Sequence, residues 1–242
     1  MKTKQKRFLE IDLVKGIAVI LMIAFHFAFD LAYFANQNID LGLTNIWWFI
    51  GRSAAILFLL VVGINLTISK ENAFTKKQNI LKKFLKKGLK IFGLGLLITL
   101  VTYILFPQEF ILFGILHLIG LSIILSIPFL KFEKLNLILG SALIIIGIAL
   151  QTMKFNFSFL LWLGLIPQNF ASFDYFPLMP WFGLILIGIF IGNTCYKNKK
   201  NSLIKKENAL TKTFCFLGKN SLVIYLIHQP LLIALLYLRG LA

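Results

Sequence analysis

Four ionisable side chains occupy an otherwise apolar stretch near the amino terminus: Asp12, Lys15, His26 and Asp30. If this stretch is an α-helix, all four side chains point within an arc of about 60°. They extend over about 27 Å along the helix axis. Taken singly, the Asp and Lys residues could be charges at the two membrane surfaces, but His26 cannot snorkel there. Since such a row can accept or relay protons, the spacing predicts a functional polar stripe.

A second polar face lies near the carboxyl terminus. Ser221, Tyr225 and His228 share a narrow arc of a predicted helix and are followed by Gln229 and Pro230. Proline removes a backbone donor, so the carbonyl four residues earlier needs another partner. The pattern is typical of a functional helix, and also of a simple kink.

Three more residues are candidate substrate contacts. His117 alone is typical of a hydrogen-bonded packing residue, but all three histidines are predicted in the outer half or middle of the membrane, which favours one shared cavity. Arg52 and Trp181 fit an interfacial anchor as well as a substrate entrance.

Cys195 and Cys215 have neither a CxxC spacing nor a partner histidine, so no metal site is predicted.

The elements that must position these residues are membrane helices. Hydrophobic residues make up 59% of the 242 and charged residues only 14%, which excludes an ordinary soluble fold. Seven stretches are long and apolar enough to cross a bilayer. They cover residues 13–34, 46–68, 89–106, 110–130, 135–152, 177–195 and 216–238. The predicted fold class is all-α, a polytopic membrane helix bundle that forms a single domain over residues 1–242.

The distribution of charge predicts how these helices cross. Lys and Arg number 25 against 9 Asp and Glu. With the amino terminus inside, 22 basic residues fall in inner segments, and only Arg52, Lys154 and Arg239 fall in outer ones. This positive-inside pattern predicts that the amino terminus lies inside and the carboxyl terminus outside a cell membrane, as in a prokaryotic cytoplasmic membrane. The basic runs indicate anionic lipid headgroups rather than nucleic acid as a partner.

The segment between the fifth and sixth predicted helices has a different character. Residues 155–176 contain an apolar patch that is too short to cross a bilayer and is closed by Pro167. We expect an interfacial or re-entrant segment here. The sequence leaves the oligomeric state open.

Three motifs, found in order along nearly the whole chain, resemble those of one family. They are EIDLVKGIAVILM at residues 10–22 with FHF at 25–27, DYFPLMPWFG at 174–183 and LGKNSLVIYLIHQP at 217–230. All three resemble bacterial heparan-alpha-glucosaminide N-acetyltransferase catalytic-domain-like proteins, which belong to a wider set of integral-membrane acyltransferases. In that set a first-helix Arg is followed after ten residues by a His. The matching pair here is Lys15 and His26.

The resemblance implies an acyl-CoA-dependent acyltransferase. It would move an acyl group, expected to be acetyl, from cytoplasmic acetyl-CoA as donor substrate to a sugar or glycoconjugate acceptor at the outer face. Lys15, with Asp12 beside it, is expected to bind the donor. Lys keeps the charge of Arg but lacks the planar fork that grips a phosphate in two places.

The resemblance also implies roles around the reacting groups. His26 is expected to be the general base, and Asp30 to orient its ring. His228 or Tyr225 is expected to bind the developing oxyanion. The acceptor is expected to contact His117, Tyr225, Trp181 and Arg52.

Two other classes of function fit parts of the same pattern. A proton-coupled transporter would use the Asp, Lys and His residues as a proton relay, although the sequence lacks the internal repeat of many transporters. A scaffold subunit would leave the polar stripe unexplained unless a partner helix covered it.

Overall fold

A computed structural model describes residues 8–197, 202–204 and 208–241. These ranges contain eight α-helices, two short 3₁₀ helices and no β-strand, so the predicted all-α class is confirmed for them. The α-helices are α1 Leu9–Tyr33, α2 Ile46–Thr75, α3 Ile80–Leu105, α4 Ile115–Leu125, α5 Lys134–Gln151, α6 Leu178–Cys195, α7 Ala209–Lys219 and α8 Ser221–Leu238. The 3₁₀ helices are Pro128–Lys131 and Leu161–Leu163.

Six of the described helices are long and apolar enough to cross a membrane: α1, α2, α3, α5, α6 and α8. The chain is therefore a multi-pass membrane protein. The remaining predicted stretch, 110–130, contains α4, whose 11 residues rise only about 17 Å against the bilayer's roughly 30 Å. The count of seven spans stays a prediction.

Several helix boundaries differ from those predicted. α2 continues to Thr75 and α3 begins at Ile80, because Lys lowers hydropathy but is a good helix former. Asn79 caps α3, since its side chain accepts a hydrogen bond from the backbone N–H of Lys82. The last predicted span, 216–238, is two helices that meet at Asn220.

The chain divides into two compact units. Unit 1 contains α1, the first half of α2, α7 and α8, and unit 2 contains the second half of α2 and α3 to α6. The prediction of one domain over 1–242 stays a prediction.

In unit 1, α7 and α8 pack along α1. α7 crosses α1 where two glycines remove the side chains between the backbones. A Cβ on Gly16 would overlap the carbonyl of Phe214, and one on Gly218 would overlap the carbonyl of Asp12. The crossing therefore depends on glycine at both positions.

In unit 2, α3 packs on α4 and α5 packs on α6. Phe113 forms a bridge with Tyr175 just before α6, whereas the carbonyl of Phe132 accepts a hydrogen bond from Asn193 near the end of α6, at 2.9 Å. Residues 113–132 thus run the length of α6, although only part of this segment is α-helical.

Two lysines of unit 2 contact the end of the unit at which α6 finishes. Lys70 Nζ donates to the carbonyl of Leu130 at 2.8 Å, and Lys197 Nζ lies 2.6 Å from Glu133 Oε1. The hydrogen bond from Lys197 lowers the pKa of Glu133, and the same bond raises the pKa of Lys197. The inner-segment residues Lys2, Lys4, Lys6, Arg7, Lys199, Lys200, Lys205 and Lys206 lie outside the described residues. The orientation of the termini stays a prediction.

The segment between α5 and α6 contains no helix long enough to cross a bilayer, as expected. Its first part folds back on itself through a bridge between Phe155 and Pro167. Its last part runs beside residues 109–113, and the hydroxyl of half-buried Tyr175 donates to the carbonyl of Leu161 at 2.7 Å. Burial raises the pKa of Tyr175. The interfacial placement of the segment stays a prediction.

Candidate functional site

Two histidines from opposite ends of the sequence meet in unit 1. The ring of His26 on α1 lies 4.7 Å from the ring of His228 on α8, measured between centroids, and the rings are nearly perpendicular. Each ring is held by its own helix, because Nδ1 of His26 lies 2.9 Å from the carbonyl of Met22 and Nδ1 of His228 lies 2.7 Å from that of Tyr225.

These two hydrogen bonds fix the tautomer of both rings. A carbonyl oxygen can only accept, so Nδ1 of each ring must carry the proton. In the neutral form, Nε2 of each ring is then unprotonated and carries a lone pair. The pair therefore presents two imidazole bases whose Nδ1 atoms are already engaged.

A carboxylate and an amide lie beside the histidines. Asp30 is one helical turn beyond His26, and Gln229 follows His228. The amide of Gln229 donates to Oδ1 of Asp30 at 2.5 Å, and Asp30 is completely buried. This hydrogen bond holds α1 and α8 together at the level of the histidines.

We call His26, Asp30, His228 and Gln229 the acceptor cluster, after their hydrogen-bond acceptor atoms. Among the described residues, Oδ2 of Asp30, Oε1 of Gln229 and Nε2 of His228 have no hydrogen-bond partner, although all three atoms are buried. Each is an acceptor when Asp30 is ionised and His228 is neutral. Because buried acceptors need donors, the cluster is suited to a ligand that supplies several hydroxyl or ammonium hydrogens.

Two predicted roles are not seen in these hydrogen bonds and stay predictions. Asp30 was expected to orient the ring of His26, but the carbonyl of Met22 occupies the ring's Nδ1 and the carboxylate accepts from Gln229. His228 was expected to donate to an oxyanion, but its neutral ring has only a lone pair at Nε2.

Sequence reasoning noted Gln229 only as the residue before Pro230 and missed its bond to Asp30. A signal was present, because Gln229 lies only about 40° around the helix from Tyr225.

The donor-binding candidates also lie on α1. Lys15 Nζ is 3.5 Å from Oδ1 of Asp12, with the Lys15 side chain 20% exposed and that of Asp12 6%. Both residues flank the crossing with α7 at Gly16. The lysine is thus held near a carboxylate and remains partly accessible.

Two predicted acceptor contacts belong to unit 1. The ring of Tyr225 lies 5.5 Å from that of His228, so Tyr225 borders the acceptor cluster. Arg52 lies over the ring of Trp48, with its guanidinium carbon 5.4 Å from the ring centroid. A Cβ on its neighbour Gly51 would overlap the ring of Phe25, which precedes His26 on α1.

His117 lies in unit 2 with both ring nitrogens engaged. Nδ1 accepts from the backbone N–H of Gly114 at 3.2 Å, so Nε2 carries the proton and faces the hydroxyl of Thr99 at 3.4 Å. The ring packs between Phe92 and Phe113. These contacts support the packing interpretation, and a cavity shared with the other two histidines stays a prediction.

Trp181 is also in unit 2, buried at the start of α6 with its ring 4.7 Å from that of Phe176. In the same motif, Asp174 accepts a hydrogen bond from the backbone N–H of Ile115 at 3.0 Å. The motif at residues 174–183 therefore caps α4 and begins α6, and its predicted contact with substrate remains untested.

The fold and the acceptor cluster define a class, a polytopic membrane protein that places two imidazole bases between its helices. The comparison with family models gives the particular family: the model described as heparan-alpha-glucosaminide N-acetyltransferase, catalytic, matches residues 7–230, and the chain belongs to that family. No curated protein and no solved structure matches the chain. Membership implies a membrane acetyltransferase that acts on a sugar.

Proposed function

We propose that the chain transfers an acetyl group from acyl-CoA to a hydroxyl or amine of a sugar or glycoconjugate at the outer face of the membrane, with His26 as the general base. The observation that carries the proposal is the pairing of His26 and His228. Both rings direct Nδ1 to a backbone carbonyl, which leaves each Nε2 able to accept a proton.

The reaction needs two proton transfers, from the acceptor to His26 and from His26 to the leaving thiolate. The acceptor oxygen or nitrogen attacks the thioester carbonyl carbon, and Nε2 of His26 takes the proton that the acceptor loses. The tetrahedral intermediate collapses, the carbon–sulfur bond breaks, and the imidazolium returns the proton to the departing thiolate. The products are the acetylated acceptor and free CoA thiol.

The rest of the acceptor cluster binds the sugar. Oδ2 of Asp30 and Oε1 of Gln229 are buried acceptors, and a pyranose brings several hydroxyl donors, or an ammonium if it is an amino sugar. Nε2 of His228 accepts a further hydrogen. Tyr225 binds the oxyanion, because its hydroxyl can donate a hydrogen bond while His228 is neutral.

The donor enters from the opposite end of α1. CoA carries several negative charges and cannot enter hydrocarbon, so its phosphates stay at the inner face beside Lys15, where they compete with Asp12 for the ammonium group. The thioester then extends along the polar stripe, because Lys15 and His26 are about 16 Å apart on one helix face.

The deciding experiment is transfer of radiolabelled acetyl from acetyl-CoA by purified protein, with His26→Ala compared with wild type. General-base catalysis contributes about 10² to 10⁴-fold, so kcat should fall by that order while the protein inserts and binds acetyl-CoA. The matched control is Ile227→Val on α8, a side chain that is 48% exposed, which should leave turnover per folded molecule unchanged.

Full turnover by His26→Ala would remove His26 from the base position. A wild-type protein that neither hydrolyses nor transfers the acetyl group, yet moves protons across vesicles, would favour the transporter.

A further inference from the structure

A strip of three aromatic rings, two of them exposed, follows α5 in unit 2. Phe155, Phe157 and Phe159 alternate along the chain, and their ring centroids are 5.5 Å and 4.9 Å apart in sequence order. Phe157 is 37% exposed and Phe159 is 71% exposed. We call these three residues the aromatic strip. The rings form a row in which each step is close to the length of one pyranose unit.

Two amides lie beside the strip. Gln168 Nε2 donates to Oδ1 of Asn156 at 2.9 Å, which leaves the amide nitrogen of Asn156 as a donor and the amide oxygen of Gln168 as an acceptor. Together with Phe155 and Phe157 they line an open cleft of about 370 Å³. Its lining residues are Phe155, Asn156, Phe157, Ser158, Pro167 and Gln168, none of them charged.

The backbone beneath the cleft is held in place independently of these side chains. The N–H of Phe155 donates to the carbonyl of Ile166 at 3.0 Å, and the N–H of Gln168 donates to the carbonyl of Phe155 at 3.2 Å. The indole of Trp162 donates to the carbonyl of Phe159 at 3.0 Å. A ligand would therefore meet a preformed surface.

We propose that this cleft is a binding subsite for a linear, uncharged glycan. Aromatic rings stack on the C–H faces of pyranoses, and a neighbouring amide donor and acceptor match adjacent hydroxyl groups or an acetamido group. A membrane-interface belt explains the strip less well, because such belts favour Trp and Tyr and do not call for paired amides. The inference rests on the proposed function in one respect, namely that the glycan is the acceptor or part of it.

The test is calorimetric titration of the purified full chain with cellotetraose, chitotetraose and glucose, in a detergent without a sugar headgroup and without an acyl donor. We expect saturable binding of at least one tetrasaccharide and weaker binding of glucose. Phe157→Ala should raise the Kd by about tenfold because one stacking surface is lost. Gln168→Leu should raise it too, since the amide acceptor is removed.

The matched control is Phe74→Ala, which removes a ring that is 65% exposed elsewhere in unit 2 and should leave the Kd unchanged. Absence of saturable binding by both tetrasaccharides, or a wild-type Kd in folded Phe157→Ala, would overturn the inference. Glycan binding without acetyl transfer would overturn the proposed function and leave the cleft standing. Acetyl transfer to a monosaccharide without binding of a tetrasaccharide would overturn the glycan-binding cleft and support the proposed function.

Discussion

At the scale of single residues, the direction of each hydrogen bond determines which chemistry is available. The two histidines both use Nδ1 as a donor to backbone carbonyls, so their Nε2 atoms are bases. His117 uses Nδ1 as an acceptor, and its Nε2 faces a hydroxyl. Identical side chains thus have opposite tautomers, which separates the candidate base from the helix-capping residue.

The hydrogen bond between Gln229 and Asp30 gives the first prediction at this scale. Gln229→Leu leaves a completely buried carboxylate without its donor, so the unfolding free energy should fall by about 2 kcal/mol. Asp30→Leu combined with Gln229→Leu should recover much of that loss, because no buried charge remains unpaired. Thermal unfolding of the purified variants measures both effects.

Ile227→Val on the same helix is the control, since Ile227 is 48% exposed and its change should alter stability little. If Gln229→Leu is as stable as this control, the hydrogen bond contributes nothing to holding α1 and α8 together.

At the scale of elements, glycine decides where helices can cross. Gly16 and Gly218 let the backbones of α1 and α7 touch, next to the Lys15 and Asp12 pair. Because α7 is a separate helix that meets α8 at Asn220, its position depends on this crossing rather than on one continuous helix. The glycines therefore position the candidate donor site indirectly.

Alanine at one of these glycines should test the crossing. Gly218→Ala should destabilise the protein by about 1–3 kcal/mol, because the new Cβ overlaps the backbone at Asp12, which cannot change rotamer. Gly93→Ala in α3 is the matched control. Outside the adjoining residues and backbone of its own helix, no atom lies within 4 Å of the added Cβ, so the change should stabilise the helix by about 0.5–1 kcal/mol.

If the crossing is as described, the unfolding temperature should fall in Gly218→Ala and rise in Gly93→Ala. Equal shifts in the same direction would mean that the α1–α7 contact is not close-packed.

At the scale of the whole molecule, the number of membrane crossings decides whether the two termini lie on the same side. Residues 113–132 run the length of α6, yet α4 itself has only 11 residues. If this segment crosses, the chain has seven crossings and its termini lie on opposite sides. If it does not cross, six crossings place both termini on the same side.

Reporter fusions distinguish these arrangements. Seven crossings predict a cytoplasmic signal at Lys77 and at Lys131, and an external signal at Leu241, because basic residues are retained inside. Six crossings with the amino terminus inside would reverse the signals at Lys131 and Leu241 and leave Lys77 unchanged. The signal at Lys77 is thus the internal control for the orientation of the first two helices.

The fold class, most of the membrane helices and the polar stripe on α1 could be predicted from the amino-acid sequence. These follow from hydropathy and from helical periodicity, which are local properties of the chain. The family that the motifs indicated is confirmed by the family model, which matches residues 7–230. Helix ends were predicted less well where lysines continued a helix beyond its apolar part, as in α2 and α3.

Only the tertiary structure brought His26 to His228 and Asp30 to Gln229, which are about 200 residues apart in sequence. The backbone carbonyls of Met22 and Tyr225 fix the imidazole tautomers. Backbone carbonyls can do this at any residue type, so the sequence contains no signal for it. The physical reason is that periodicity defines the face of one helix, whereas the partner of that face depends on how helices pack. In this protein, packing depends on a few glycines and buried hydrogen bonds that a one-dimensional pattern does not pair.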